Sequence, residues 1–306
     1  MPSADIPIHN FLPLQRIDRA GISVREDALY TDAEGRDEKK LHKRAEITFE
    51  ELGDILRRIL EPGETIFYIA ETQVMPGAVG QFLGGGWHRA SIPRTFLFIT
   101  ERRIIALRMR KRMAGWNWNR GIRTARWGDI LQTAGGGRLS RSLLLKFRNG
   151  QKQAYWRFAL GDAKKVRLLI DTLQPHGAGE PTAAGGMVSL CPNCLAALAA
   201  RNYQCPQCGT QFKDEKTLMW RGILIPGGAS LYVGATGLGI FRAIFETAIL
   251  ASVLFSLYRA IQAPTASSAA ADFATAIVGE CAFLFLDKLV AILMSLPLVR
   301  DFIPAE

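Results

Sequence analysis

Leu145-Lys-Phe-Arg-Asn-Gly150, continued by Gln151-Lys-Gln-Ala-Tyr-Trp156, decides how the first half of this chain is read. Two apolar runs meet at Asn149-Gly150, and a two-residue type I′ turn needs positive φ at both positions, which Asn and Gly tolerate best. The pair predicts a β-hairpin. Outward from it, short apolar runs predict strands at Thr65–Gln73, Arg94–Thr100, Arg102–Arg108, Arg123–Trp127, Ile130–Ala134, Leu139–Arg148 and Gln151–Phe158. Gly84-Gly85-Gly86 and Gly135-Gly136-Gly137 punctuate them. A helix is expected on each side. Thr48-x-x-Glu51 has the form of a capping box opening a helix that carries Phe49, Leu52, Ile55, Leu56, Ile59 and Leu60 and stops at Pro62-Gly63. Asp162–Leu173 offers Val166, Leu169 and Ile170 to the sheet.

The charge is divided along the chain. Residues 1–222 hold 34 Lys/Arg against 22 Asp/Glu, whereas residues 223–306 hold 4 against 6. The last quarter is apolar without compensating charge, which argues against a wholly soluble protein. Aromatic and β-branched residues are plentiful enough to exclude disorder throughout. The first ten residues lead into polar, charged sequence with no apolar signal region, so the bulk of the chain is expected in the cytosol.

One helix, about seven short strands and a closing helix resemble the bacterial pleckstrin-homology-like, or GRAM-like, domains. The residues carrying the resemblance are Pro62-Gly63-Glu64, Phe96-Leu-Phe-Ile-Thr-Glu-Arg-Arg-Ile-Ile105, Trp127-Gly-Asp-Ile130 and Leu145-Lys-Phe-Arg-Asn-Gly150. The resemblance implies a small β-barrel closed by a C-terminal helix and used for docking to lipid or protein.

Cys191-Pro-Asn-Cys194 and Cys205-Pro-Gln-Cys208-Gly209 stand ten residues apart. Paired thiolates on tight turns converge on one ion, and four of them close the tetrahedral shell of a structural Zn²⁺ site with no open position for catalysis. The pattern resembles a zinc-ribbon knuckle pair, with Leu195 where the first knuckle usually has glycine. Disulfides and a redox CxxC are the alternatives, disfavoured by a reducing cytosol. Cys281 stands alone in an apolar run and is read as packing.

Gly237–Ile261 and Ala270–Leu296 are 25 and 27 residues long, and a helix needs roughly 20 to cross the hydrocarbon. Lys213, Lys216, Arg221 and Arg300 flank their outer ends, and the positive-inside rule then places both termini in the cytosol. Pro226-Gly227-Gly228 interrupts the apolar stretch before the first span, which reads as interfacial or re-entrant, with Trp220 and Tyr232 suited to a headgroup belt. The alternative is a third span at Gly222–Phe241. Pro226-Gly-Gly with Leu231-Tyr-Val-Gly234 and two spans resembles the two-helix membrane module named TM2, which implies anchoring. The spans carry Arg242, Glu246, Glu280, Asp287 and Lys288, each costing roughly 2.5–3.5 kcal/mol at mid-bilayer unless paired. An antiparallel hairpin sets Glu246 beside Lys288 and Arg242 within a turn or two of Asp287. Glu280 falls level with Leu254 and has no evident partner; it is either protonated, facing another subunit, or lining a polar path.

From Arg102 to Arg126 there are nine basic residues and no acidic one. Arg108, Arg110, Lys111, Arg112, Arg120 and Arg123 surround Trp116 and Trp118, a composition suited to anionic lipid, with a solvated loop, nucleic acid or an acidic protein surface as rivals. Four histidines lie outside any triad or metal pattern, so catalysis is not expected. The sequence thus predicts a multidomain α+β protein with membrane helices: an arm (1–45), a pleckstrin-homology-like domain (46–175), a linker (176–187), a zinc ribbon (188–215), an interfacial or re-entrant segment (216–235), a transmembrane hairpin (236–300) and a tail (301–306). The expected role is a non-catalytic adaptor of the bacterial inner membrane that docks on anionic lipid or an unidentified protein and could form a homo-oligomer. A small channel or transport accessory using Glu280 and a membrane-tethered nucleic-acid binder are the alternatives.

Overall fold

The computed structural model describes residues 16–19, 21–75, 93–112, 115–135, 141–176, 181–262 and 268–305. The chain divides into two compact units, Met1–Met75 with Pro93–Leu198 and Pro76–Ile92 with Ala199–Glu306.

The first unit is built on a large open antiparallel sheet. Its strands are β1 (Arg16–Arg19), β2 (Ile22–Arg25), β3 (Ile66–Val74), β4 (Arg94–Thr100), β5 (Arg103–Arg112), β6 (Gly115–Arg126), β7 (Ile130–Gly135), β8 (Leu143–Phe147), β9 (Lys152–Trp156), β10 (Val188–Leu190) and β11 (Ala197–Leu198). They lie in the order β11-β10-β6-β5-β4-β3-β9-β8-β7, with β2 joining β3 in parallel. The two ends of that order do not pair, so the sheet is not the closed barrel that the resemblance implies.

The central strands are covered on both faces, which explains their continuous apolar runs. Side chains alternate across a strand. Leu97, Ile99, Ile104 and Ala106 share one cluster with Ala163, Val166, Leu169 and Ile170 of the helix α3 (Asp162–His176). Phe96, Phe98, Ile105 and Leu107 share the other with Phe49, Leu52, Ile55 and Leu56 of the helix α2 (Lys39–Ile59).

That second cluster takes in part of the segment expected as an arm, over its described residues. Ile22, Val24, Leu29 and Tyr30 belong to it, on β2 and the short helix α1 (Glu26–Leu29). Leu41 and Ala45 extend the buried stripe of α2 toward its start, so the helix begins nine residues before Thr48. Thr48 lies inside the helix and donates its hydroxyl to the Arg44 carbonyl at 2.7 Å instead of capping.

The Asn149-Gly150 hairpin forms with another turn. Only Gly150 has positive φ (+81°), and Phe147 N–H donates to the Gln151 carbonyl at 2.9 Å, a three-residue connection of the glycine-bulge kind. Asn149 is held elsewhere: its amide donates to the Gly185 carbonyl at 3.0 Å and its side chain to the Ala184 carbonyl at 2.9 Å. The expected linker therefore lies on the sheet over its described part, residues 181–187. Thr182 binds Asp129 through its amide and hydroxyl at 2.8 and 2.9 Å, and Met187 is buried.

The second unit contains α4 (Glu215–Leu224), α5 (Gly228–Tyr232), α6 (Thr236–Gln262) and α7 (Ser268–Val299). Two of these, α6 and α7, are long and apolar enough to cross a membrane. Their large side chains point outward, with Phe241, Leu254, Phe255, Phe285 and Leu286 all more than half exposed. Gly222–Phe241 is not one helix, because the chain breaks at Ile225–Gly227 and again at Gly234. The residues after α7 are not a loose tail. Lys213 N–H donates to the Ile303 carbonyl at 2.8 Å, Ala305 N–H to Gln211 at 2.9 Å, and Phe302 is buried against Phe212.

Candidate metal centre and charged hairpin

The two Cys-Pro-x-Cys turns have the same backbone pattern. Cys191 N–H donates to the Ala196 carbonyl at 2.9 Å and Leu195 N–H to the Cys191 carbonyl at 2.9 Å. Cys205 N–H likewise donates to Thr210 at 2.8 Å and Gly209 N–H to Cys205 at 3.0 Å. Each turn ends on a left-handed residue, Leu195 at φ +61° and Gly209 at φ +72°. Leucine tolerates that conformation poorly, and its side chain compensates by packing on the α2 cluster.

All four sulfurs lie within 4.8 Å of one another. Zinc–sulfur bonds of about 2.3 Å in a tetrahedron put sulfurs about 3.8 Å apart, so these four could hold a metal ion such as zinc. Cys191 and Cys205 are buried, Cys194 is partly buried and Cys208 is exposed. Sequence reading missed how the first turn is anchored. β10 pairs with β6 in the register Leu190–Ile122, and Arg58 of α2 donates to the carbonyls of Pro192 and Asn193 at 3.2 and 2.7 Å.

The five charged residues singled out on the long helices lie at or near their shared seam. Lys288 Nζ lies 2.8 Å from Glu246 Oε2, and Arg242 lies 3.3 Å from Asp287. Lys288 also donates to the Gly222 carbonyl at 3.2 Å, a second partner that the sequence did not suggest. Glu280 Oε1 accepts from the Ser252 hydroxyl at 2.6 Å, two residues from the expected level, while its Oε2 is buried without a hydrogen bond.

The basic segment divides into two parts. β5 and β6 continue as a ribbon through what was read as the Arg110–Arg120 loop, with Arg110 across from Asn117 and Lys111 across from Trp116. Arg112 faces Gly115, Trp118 faces Met109, and Arg120 lies where the register slips before Leu107–Ile122. The side chains of residues 110–120 lie outside the described set. Nearer the core, Arg108 is buried and the half-buried Arg123 donates to Gln153 at 2.9 Å. Three further basic residues are structural. Arg103 grips Glu64 with Nε and Nη2 at 3.0 and 2.8 Å inside the core, and Arg102 and Arg126 donate to Glu61 at 3.0 and 2.8 Å.

A second polar knot lies under α3. Asp162 accepts from Arg44 at 2.5 Å and from the Tyr68 hydroxyl at 3.0 Å. Nearby, Lys165 Nζ donates to the Thr31 carbonyl, the Thr31 hydroxyl and the Asp32 carbonyl at 3.0, 2.7 and 2.9 Å. Burial pushes the Lys165 ammonium down to about 8, against the opposing pull of Asp32, Asp27 and Asp162.

No known protein family matches the chain, and no curated protein matches it. Among solved structures it is similar to the C-terminal domain of an unknown protein from Leishmania infantum. The identity is 11%, the match covers 43% of this chain and 98% of that one, and the TM-score is 0.27, a likeness that carries no argument here.

Proposed function

We propose that this protein is a non-catalytic adaptor of the bacterial inner membrane, anchored by α6 and α7, with both termini cytosolic and its sheet unit docking on anionic lipid. The β5–β6 ribbon carries the reading. It brings Arg110, Lys111, Arg112, Trp116, Trp118 and Arg120 together beyond the packed part of the sheet, without an intervening acid. Each Lys or Arg near an anionic leaflet gains about 1 kcal/mol, and tryptophan prefers the interface. Seven successive antiparallel strands, β3 to β9, followed by a packing helix agree with a pleckstrin-homology-like ancestry, though the sheet is open. Zinc in the four-cysteine cluster would be structural.

The test is flotation of residues 1–215, which keep both cysteine turns, with neutral and anionic liposomes at low and raised salt. A fragment starting at the expected domain boundary, residue 46, would cut α2, so the unit must begin earlier. Binding to anionic vesicles alone, lost in salt and in charge reversals at Arg110–Arg112, is expected. Absence of binding overturns the lipid reading and leaves a protein or nucleic-acid ligand. The half-satisfied Glu280 carboxylate favours a second reading, an oligomeric channel; conductance of reconstituted protein that disappears in Glu280→Gln would support it.

A further inference from the structure

The segment between the cysteine cluster and α6 enters and leaves on the same side of the helical hairpin. Asp214 caps α4 by accepting from Thr217 N–H at 2.8 Å, and Glu215 accepts from Arg300, just past the end of α7, at 2.8 Å. One helix later the chain is much deeper. Gly222 gives its carbonyl to Lys288 and sits so close to Ile292 that an added Cβ would lie 2.6 Å from its Cγ1. Lys288 precedes Arg300 by twelve residues, roughly 18 Å of helix; α4 covers about 10 Å of this, and the long side chains of Arg300 and Lys288 cover the rest.

The turn follows at once. Gly227 takes φ +64° and packs so tightly on the Gly239 carbonyl and Ala243 amide of α6 that no side chain fits there. α5 then climbs back. The Tyr232 hydroxyl accepts from Asp214 N–H at 3.0 Å and its carbonyl from Lys213 Nζ at 2.7 Å, which returns the chain to the level where α4 began.

Two observations identify what covers the outer face of this excursion. Leu218, Gly222, Ala229 and Tyr232 are buried against the hairpin, whereas Met219, Trp220, Ile223, Leu224, Ile225 and Leu231 are 38–69% exposed. Ile240 and Phe241 on α6 are likewise more than half exposed. Backbone donors on both sides of the turn find acceptors within the segment, as a lipid environment favours. Ile225 N–H donates to Arg221, Gly228 to Ile225, Leu231 to Gly227, Gly234 to Leu231 and Ala235 to Ser230, and Pro226 has no N–H to satisfy. Arg221, the cation on that face, lies with its guanidinium 5.1 Å over the Tyr232 ring, turned toward the Asp214 end.

We propose that α4, the Ile225–Gly227 turn and α5 form a re-entrant helical hairpin whose outer face is immersed in the acyl chains of the cytosolic leaflet. This rests on the reading that α6 and α7 cross a bilayer, and it makes the membrane part four helices entering from one side instead of two. Its consequence is mechanical as well as topological. The re-entrant helix carries the second partner of Lys288, so the innermost ion pair of the hairpin is held by backbone of a segment that does not itself span.

The test uses the full-length protein in liposomes, photolysed with a lipid-soluble aryl diazirine while aqueous glutathione scavenges carbene in water, and labels mapped by mass spectrometry. Trp220, Ile223, Leu224 and Leu231 are expected to label to the same extent as Phe241 and Phe285. Labelled Phe241 and Phe285 with an unlabelled α4–α5 face would overturn the proposal, showing that water or another protein chain covers that face. Absence of label from Phe241 and Phe285 as well would instead refute the spanning of α6 and α7.

Discussion

Lys288 Nζ stands 2.8 Å from Glu246 Oε2 and thereby fixes residue 246 of α6 at the depth of residue 288 of α7. Glu246 is 1% exposed, so removing one partner leaves the other charge buried, at a cost of roughly 3–5 kcal/mol. Glu246→Lys is expected to lower the unfolding temperature of the detergent-solubilised protein sharply, and adding Lys288→Glu to restore part of it. Rescue is incomplete because a carboxylate at 288 would face the Gly222 carbonyl that now accepts from Lys288. Equal stability of the single and double variants, measured by thermal unfolding, would contradict the pairing.

The metal centre makes a compositional prediction. Protein purified without chelators is expected to carry about one zinc per chain, and Cys205→Ser, which removes a buried ligand, to abolish it. Metal analysis after dialysis decides this, and less than half an equivalent in the unaltered protein would count against zinc. Chelation should also loosen residues 191–212 toward protease, since ligand binding there is coupled to local folding.

Burial separates the ion pairs of the sheet unit by what they are worth. Glu64 is 2% exposed and holds the equally buried Arg103, so Glu64→Leu should cost roughly 3–5 kcal/mol. Arg36→Ala, which breaks the Asp32–Arg36 pair from its exposed side, should cost far less than that. Denaturant unfolding of the two variants side by side is the check.

Lys165 predicts a dependence on alkaline pH. Its folded value of about 8 lies below the ordinary 10.5, so between those limits the unfolded chain binds the additional proton and stability rises with pH. Relative to Lys165→Met, the unaltered protein is expected to gain on the order of 3 kcal/mol from pH 8 to 10.5. A flat difference in unfolding free energy across that range would show that the ammonium is not destabilised by burial.

The strands, the four cysteines and the two apolar helices were legible because each is written in local pattern: alternation, paired spacing, uninterrupted length. The Asn149-Gly150 hairpin was legible as a hairpin but not as a turn type, since the conformation of Asn149 is fixed by Gly185 and Ala184 from a distant segment. Thr48 misled for the same reason. A capping box is a local preference worth about 1 kcal/mol, and burying Leu41 and Ala45 in the two clusters outweighs it.

The sequence by itself determined the central strands of the sheet, where the chain could meet metal and which helices are apolar enough for lipid, because composition and period act over a few residues. Only the tertiary structure decided that the sheet stays open, that Arg108 and Arg123 turn inward while the ribbon beyond them continues, and that Gly222 reaches Lys288. Those outcomes depend on which surfaces meet. Residues 66 positions apart can exchange a hydrogen bond that no local pattern encodes, because the free energy that joins them comes from the packing of the helices between.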